Sequence, residues 1–589
     1  MEKILELISK EVSGAFEAAG YDSALGKVTI SNRPDLCEYQ CNGAMAGAKQ
    51  YHKAPFMIAD EVAEKLSGNE MFESVESVKP GFLNIKVSPD FIRSYIVRML
   101  HEKKLGVTQP GHQPKVIMDY GGPNVAKPLH VGHLRSAVIG ESLKRILKYT
   151  GNDVTGDIHL GDWGLQMGLI ITELKEQQPD LPYFDPEYKG QYPKEAPFTI
   201  SELEQIYPKA SAKSKEDEEY KAKAMEATKL LQDGNKGYRA LWRHILNVSV
   251  TDLKKNYKNL NVSFDLWKGE SDVHDVIPGM VEYMKNHNYA KISQGALVVD
   301  VAEETDTKEV PPCMILKSDG ASLYNTTDLA TIDTRMKEYH PDSLVYVVDK
   351  RQELYFTQVF RCARKTKLVL PETELHFVGF GTMNGKDGKP FKTRQGGVPR
   401  LENLIAEIDE KMYNRIKEGT PDISEEEAKD TAHKVAIAAI KYGDLSNQPS
   451  KDYVFDVDKF TSFEGDTGPY ILYTIVRIKS ILKKYSEEGG DAKAALLRNP
   501  ETDIEKNLML TLSRFADSVE SAAKDLMPNR VCAYIYELAN VFNSFYHGTK
   551  ILSEPDADKK SGYIALLNTT LKVLETGIDL LGFDAPERM

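Results

Sequence analysis

Residues 115–151, KVIMDYGGPNVAKPLHVGHLRSAVIGESLKRILKYTG, decide the fold class. KVIMDY is a short apolar strand. The Gly- and Pro-rich GGPNVAKPLHVGH is a loop, and LRSAVIGESLKRILKYTG is a helix that stops at Gly151. NDVTGDIHLGDWG follows as strand plus loop. Strand, loop, helix, strand is the opening of a doubly wound parallel sheet. Strand signals return in GALVVDV, SLVYVVD and LHFVGFG, after a charged, interrupted helical stretch at about 170–290. The expectation is one α/β domain, residues 111–450, split by that helical insertion. Upstream, residues 1–110 mix elements: a helix over 1–20, the strand GKVTIS, the helix APFMIADEVAEKL and the alternating strand FLNIKV. Ser88, Pro89 and Asp90 then start another helix with a cap, a fixed φ and an acid at the positive dipole end. This predicts an α+β domain joined by the linker VTQPGHQP. Beyond about 430 amphipathic helices dominate, and residues 451–589 read as an all-α domain.

Composition bounds the function. Of 589 residues, 41% are hydrophobic and 28% charged, the mixture of a soluble globular chain. No run approaches ~18 uninterrupted apolar residues, so no transmembrane helix is expected. The N-terminus repeats Ile4, Ile8, Val12 and Phe16 on one helical face with acids between them, which is not a signal peptide. Of the five cysteines only Cys37 and Cys41 are close, so neither a disulfide framework nor a four-cysteine zinc site is expected. Idle thiols fit a reducing cytoplasm. A net charge of −13 argues against indiscriminate nucleic-acid binding, though not against local basic patches.

The strongest chemical feature is His130-Val131-Gly132-His133, between strand and helix. Histidines three apart at a helix start face the same way. The helix N-terminus adds unpaired N–H groups and a positive dipole end, and Gly132 removes a Cβ from the path of a ligand. Together they suit a phosphate whose charge grows in a transition state. A second feature, GKDGKPFKTRQGG at 385–397, is a glycine-bounded loop with Lys386, Lys389, Lys392 and Arg394 against Asp387 alone. Such a loop can close over a polyphosphate. Alone it is more often a solubilising surface loop; beside the histidine motif it becomes specific.

A His-x-Gly-His motif in the first half of a split, Rossmann-like nucleotide-binding fold, followed by a basic loop after its last strands, resembles the class I aminoacyl-tRNA synthetases. The arginyl-tRNA synthetases are the nearer likeness, through PNVAKPLHVGHLRSAVIGESLKRIL, GDWGLQ, LYNTTDLAT, HFVGFGTM, FEGDTGPYILYTIVRIKSI and the terminal PERM. The resemblance runs over essentially the whole chain. It implies activation of L-arginine by ATP as arginyl-adenylate, then transfer to the 3′ end of tRNA(Arg), with release of AMP and pyrophosphate. It implies no protein nucleophile, so catalysis rests on positioning and charge stabilisation. By motif correspondence His130, Gly132 and His133 serve ATP, together with His376, Gly379, Gly381 and Met383. The family's basic loop often reads Lys-Met-Ser-Lys-Ser; here Pro390-Phe391-Lys392-Thr393-Arg394 lacks the first lysine. Lys127, three residues before His130, fits the substitute seen in some arginyl members, sharing phosphate charge with Lys392 or Arg394.

An arginine pocket needs carboxylates and further acceptors for a planar five-donor cation. The resemblance supplies Asp119, Asn124, Tyr324, Asp328 and Gln352. Which carboxylate takes the guanidinium is open at this stage. It also assigns the helical domain to the anticodon, where Arg477 and Lys484 stand with Tyr470 and Tyr473 in an acid-free stretch at 467–486. The N-terminal domain resembles the family's extra domain, which implies a reach to the tRNA elbow at the D-loop, and Phe82 and Asn84 share one strand face suited to an unstacked base. In this family tRNA must also bind before arginine is activated. The expected partners are therefore tRNA(Arg), L-arginine and ATP with Mg²⁺. No zinc, no protein metal ligands and no membrane are expected; a cytoplasmic monomer is. Two other readings remain compatible with the core. One is a small-molecule nucleotidylyltransferase, which leaves both terminal domains without work. The other is a catalytically silent tRNA-binding paralogue.

Overall fold

A computed structural model describes residues 1–391 and 400–589. Lys392 and Arg394 lie outside the described residues. The N-terminal domain contains α1 (Ile4–Ala18), β1 (Val28–Ile30), β2 (Tyr39–Cys41), α2 (Gly43–Gly47), α3 (Pro55–Leu66), β3 (Phe72–Val78), β4 (Phe82–Val87) and α4 (Pro89–His101). Its antiparallel sheet has the order β1-β2-β4-β3. Leu83, Ile85 and Val87 of β4 are fully buried, as their alternation demands. Ser88 accepts the Phe91 N–H at 3.2 Å and caps α4, with Pro89 in the first turn.

The α/β layers follow as β5 (Lys115–Tyr120), α5 (Leu134–Tyr149), β6 (Asp153–Asp157) and α6 (Leu165–Gln177). The insertion carries α7 (Ile200–Glu216), α8 (Glu218–Gln232), α9 (Lys236–Asn259) and α10 (Ile277–Asn286). Next come β7 (Lys291–Ser293), β8 (Ala296–Val299), β9 (Cys313–Leu316), α11 (Tyr324–Tyr339), β10 (Ser343–Asp349), α12 (Glu353–Lys365) and β11 (Glu374–Phe380). The main sheet is parallel with order β11-β10-β5-β6. Beyond β6, residues 157–160 and 266–269 run side by side in parallel, joined by Ile158 N–H to Leu266 O (3.2 Å) and Leu160 N–H to Lys268 O (2.8 Å). Val116 and Met118 point to the α5 face, and Ile117 packs with Leu344, Tyr346 and α11 on the other. Apolar cores on both faces explain why these strands read as nearly unbroken hydrophobic runs.

GALVVDV does not join the sheet of SLVYVVD and LHFVGFG. Its Ala296–Val299 sits in a separate antiparallel sheet, β7-β8-β9. Gln294 and Gly295 have φ of 50° and 81°, the paired positive angles of a two-residue hairpin turn, and that turn returns β8 onto β7.

The remaining elements are β12 (Met383–Asn384), α13 (Leu401–Gly419), α14 (Glu425–Leu445), β13 (Tyr453–Val454), α15 (Val457–Phe460) and α16 (Gly468–Glu487), then α17 (Asp503–Leu512), α18 (Phe515–Asp525), α19 (Asn529–Gly548) and α20 (Ala557–Leu581). Arg135, two residues after the histidine motif, locks this helical region to the α/β layers. Its guanidinium is buried and donates to Asp444 of α14 (3.0 Å) and to the carbonyls of Gly381 (2.7 Å) and Lys451 (3.0 Å). Truncating one member of a buried pair strands the other charge, at a cost of about 3–5 kcal/mol. Arg135→Ala should therefore lower the thermal unfolding midpoint clearly. Calorimetry on the full chain checks this.

Candidate active site

From β5 the chain winds through α5 to β6, and from β10 through α12 to β11 on the opposite side. Strand ends part where winding reverses, and ligands bind in that crevice. A cleft of about 320 Å³ opens there, between Asp119 and Tyr120 of β5 and Val347, Val348 and Asp349 of β10. Ser136, in the first turn of α5, ties the parting ends together: it accepts the Gly121 N–H (2.8 Å) and donates to the Val347 carbonyl (2.7 Å).

One wall is the loop before α5. Val125 N–H bonds Gly161 O at 3.0 Å, and Ala126 N–H bonds the Ser249 hydroxyl of α9 at 2.9 Å. Val131–His133 form a single 3₁₀ turn leading into α5. The two imidazoles are in contact at a tilt of 37°, with centroids 3.9 Å apart. His130 Nδ1 accepts the Gly132 N–H (3.1 Å), and His133 Nδ1 accepts the His130 N–H (3.2 Å). With Nδ1 accepting, each neutral ring carries its hydrogen on Nε2. Burial, then the nearby Lys127 charge, holds His130 below the ordinary imidazole range. Burial, then His130 and Lys127, drives His133 down to about 3. The pair is therefore neutral near pH 7 and offers N–H donors without titrating. A Cβ at Gly132 would stand 2.8 Å from the His130 ring and displace it. Gly132 and His133 line the cleft, with His130 beside them.

The described residues on either side of 392–399 are tied to this region. His130 bridges Arg400 in antiparallel fashion, and Leu401 N–H bonds Leu129 O at 2.9 Å. At the other end Phe391 N–H bonds Met383 O at 3.1 Å. Arg400 pairs with Glu204 of α7. Lys127 Nζ lies 4.5 Å from the Tyr207 ring centroid, one turn along the same helix.

The far wall is acidic. Asp119, Asp328, Glu270 and His159 converge there with Gln352. Asp119 accepts from Arg335 (2.7 Å), which also holds Asp157 (2.7 Å) beneath the floor. Asp328 accepts from the Tyr355 hydroxyl, and burial raises its pKa. Sequence reasoning missed Glu270 and His159. The pairing of 157–160 with 266–269 brings them together, and Glu270 N–H bonds Leu160 O at 3.0 Å. Burial foremost, opposed by His159 and reinforced by Asp162 and Asp328, pushes Glu270 up to about 7. Below that pH it is neutral and above it anionic, so affinity for a cationic substrate should rise as pH climbs from 6 to 8. Glu270→Gln should flatten the rise, measured as KM for the cation across that range.

Asp119, Asn124, Asp328 and Gln352 thus share one cleft with Gly132 and His133. Tyr324 opens α11 and is 71% exposed, outside the cleft walls. His376, Gly379, Gly381 and Met383 also stand apart from those walls. His376 bonds Glu374 (2.8 Å) and lines a separate groove with Gly379. Gly381 packs under Lys451, and Met383 is buried with its sulfur accepting from Tyr453 (3.0 Å). The reason is that β11 is the sheet's outer strand, so it meets the crevice only at its end, through Phe380.

The residues expected at tRNA lie elsewhere. Phe82 is half-buried, while Asn84 is buried and accepts from Gln40 at 2.9 Å. Arg477 is sandwiched between Tyr473 (4.9 Å) and Tyr546 (4.7 Å) and donates to Asn543 (2.5 Å). Lys484 is exposed. Lys479, in the same acid-free stretch, is neutralised by Glu587 (2.7 Å) and Glu575 (3.2 Å).

Three family profiles match in succession. Residues 2–87 match an arginyl tRNA synthetase N-terminal domain, 95–457 a class I (R) tRNA synthetase catalytic domain, and 471–589 a DALR anticodon-binding domain. Proteins named arginine–tRNA ligase are 63% identical in Agathobacter rectalis and 56% in Alkaliphilus oremlandii, each over 100% of both chains. Among solved structures, arginyl-tRNA synthetases of Plasmodium falciparum (TM-score 0.81, 24% identity) and Thermus thermophilus (TM-score 0.77, 23% identity) match over 100% of both chains and share the fold.

Proposed function

Because this chain belongs to the arginyl-tRNA synthetases and joins arginine to tRNA with ATP as substrate, we propose that its cleft divides the work between two chemically opposite ends. The observation that carries this reading is the polarity of a single crevice: neutral N–H donors at a helix start on one side, carboxylates on the other. His133, seconded by His130, donates to the ATP α-phosphate as charge builds there during attack by the arginine carboxylate. Gly132 lies beneath the nucleotide. Asp119 and Asp328 face the guanidinium, and Asn124 and Gln352 fix the amino-acid main chain. No base is needed for the first step, since the arginine carboxylate is already ionised.

Lys127 compensates for the lysine missing before Lys392, and Arg394 shares the pyrophosphate charge. A hydrogen bond to a charged group is worth about 1.5–3 kcal/mol, or roughly 10–100-fold. Lys127→Ala should therefore lower kcat/KM for ATP by about that factor while KM for arginine holds. Arginine-dependent pyrophosphate exchange with tRNA present measures both. Magnesium enters bound to ATP. Among the described residues no group of three or more His, Cys, Asp or Glu forms a metal site, so no step is assigned to a protein-held ion.

Arg477, stacked between tyrosines, and Lys484 meet the anticodon arm, and Phe82 meets a base at the tRNA elbow. The partner is tRNA(Arg) and the enzyme works as a cytoplasmic monomer; among the described residues no helix is long and apolar enough to cross a membrane. Charging of total tRNA with labelled arginine, ATP and the purified chain tests the whole scheme. Charging with arginine that persists after mutation of both histidines would refute the division of the cleft.

A further inference from the structure

Nδ1 and Nε2 of His159 are both buried, and among the described residues neither has a hydrogen-bond partner, although the ring lines the cleft. Buried polar atoms are ordinarily satisfied, and each exception calls for a reason. Carboxylates stand close by: Glu270 and Asp328 line the same cleft, and Asp162 follows three residues along the chain. Two of them are engaged elsewhere. Asp162 accepts from the Ser271 N–H (3.0 Å) and hydroxyl (2.6 Å), and Asp328 accepts from Tyr355. The backbone around the ring is fixed, since Ile158 and Leu160 pair with 266–268 on one side and Gly161 with Asn124 on the other. The ring is therefore held at the acidic end with unused hydrogen-bonding capacity.

A guanidinium brings five donors and no acceptor. Asp119 has already given an oxygen to Arg335, and Asp328 one to Tyr355. The remaining oxygens of Asp119, Asp328 and Glu270 serve part of the fork, and a ring nitrogen of His159 adds an acceptor on the same wall. We propose that His159 is a further arginine-binding residue, whose imidazole nitrogen accepts a hydrogen bond from the guanidinium and helps select it over shorter or single-headed cations. This rests on the reading that arginine occupies the acidic end of the cleft.

The test uses the full-length chain with saturating tRNA and follows KM for arginine and for ATP separately, with thermal melts to establish folding. Expected for His159→Ala is a rise in KM for arginine of about tenfold or more, with KM for ATP unchanged. His159→Asn and His159→Gln each place an amide oxygen near one ring nitrogen, and at least one should recover most of the loss. Should His159→Ala fail to fold, the two amide variants decide: both impaired for arginine by as much as a tenfold rise overturns the proposal. So does an unchanged arginine KM in His159→Ala, or an equal rise for ATP. Asp328→Asn separates the two levels. If it loses arginine while His159→Ala does not, only the histidine is misassigned. If neither variant affects arginine, the acidic end is not the arginine site.

Discussion

His133→Ala should cut kcat for pyrophosphate exchange by about 10²–10³-fold, with KM for arginine nearly unchanged. Removing one preorganised donor from a site of developing negative charge costs about 2.7–4 kcal/mol. Three observations place His133 in that class. Its Nδ1 is occupied by the His130 N–H, so the free hydrogen is on Nε2. Burial foremost, then His130 and Lys127, holds it at about 3, so it does not titrate in the working range. Ser136, one helical turn ahead in α5, locks that helix start to Val347 at the mouth of the crevice. His133→Gln, which retains an N–H near the Nε2 position, should recover part of the loss. The profile of kcat between pH 6 and 8 should carry no transition from the histidine pair. A steep histidine-like step near pH 6.5 in wild type, absent in His133→Gln, would contradict this account.

How much was legible depended on whether the signal was local. The histidine motif could be read because strand, Gly-Pro loop and helix start follow one another within one stretch, and each has its own backbone chemistry. The split of the α/β domain was visible because the insertion changes periodicity. The fate of GALVVDV was not, since alternation marks a strand without naming its partner; the Gln294-Gly295 turn sends it back on Lys291–Ser293. His376, Gly379, Gly381 and Met383 were placed by motif correspondence, yet membership of the edge strand and its exit separates them from the crevice. Glu270 and His159 are isolated letters more than a hundred residues apart. Only the pairing of 157–160 with 266–269 gives them a common environment. Asp119 read as a free pocket carboxylate, whereas Arg335 claims one of its oxygens, a tertiary contact between β5 and α11 without a sequence signature.

The specificity prediction follows from that ion-pair arithmetic. Arg335 is shared between Asp119 and Asp157, so beneath the floor two carboxylates face one cation. Among the described residues Asp328 has only the neutral Tyr355 hydroxyl as its hydrogen-bond donor, and burial raises its pKa, which makes its anion costly until a cation arrives. A guanidinium delivers that charge together with a fork of donors. Replacing the carboxylate by an amide leaves a bound cation without its counter-charge, a loss of about 3–5 kcal/mol. Asp328→Asn should therefore reduce kcat/KM for arginine by at least about 10²-fold, with KM for ATP unchanged. Discrimination should change in a revealing way. Citrulline has the shape of arginine without the charge, and a site built on charged hydrogen bonds rejects such an analogue by about 10⁴–10⁵-fold. In Asp328→Asn that ratio should collapse, chiefly because arginine falls and not because citrulline improves. Lysine should remain excluded, since its single ammonium cannot span Asp119 and Asp328 together. Parallel kcat/KM measurements for arginine, citrulline and lysine decide the matter. An Asp328→Asn enzyme that keeps full preference for arginine would move the charge-reading role to Asp119 or Glu270.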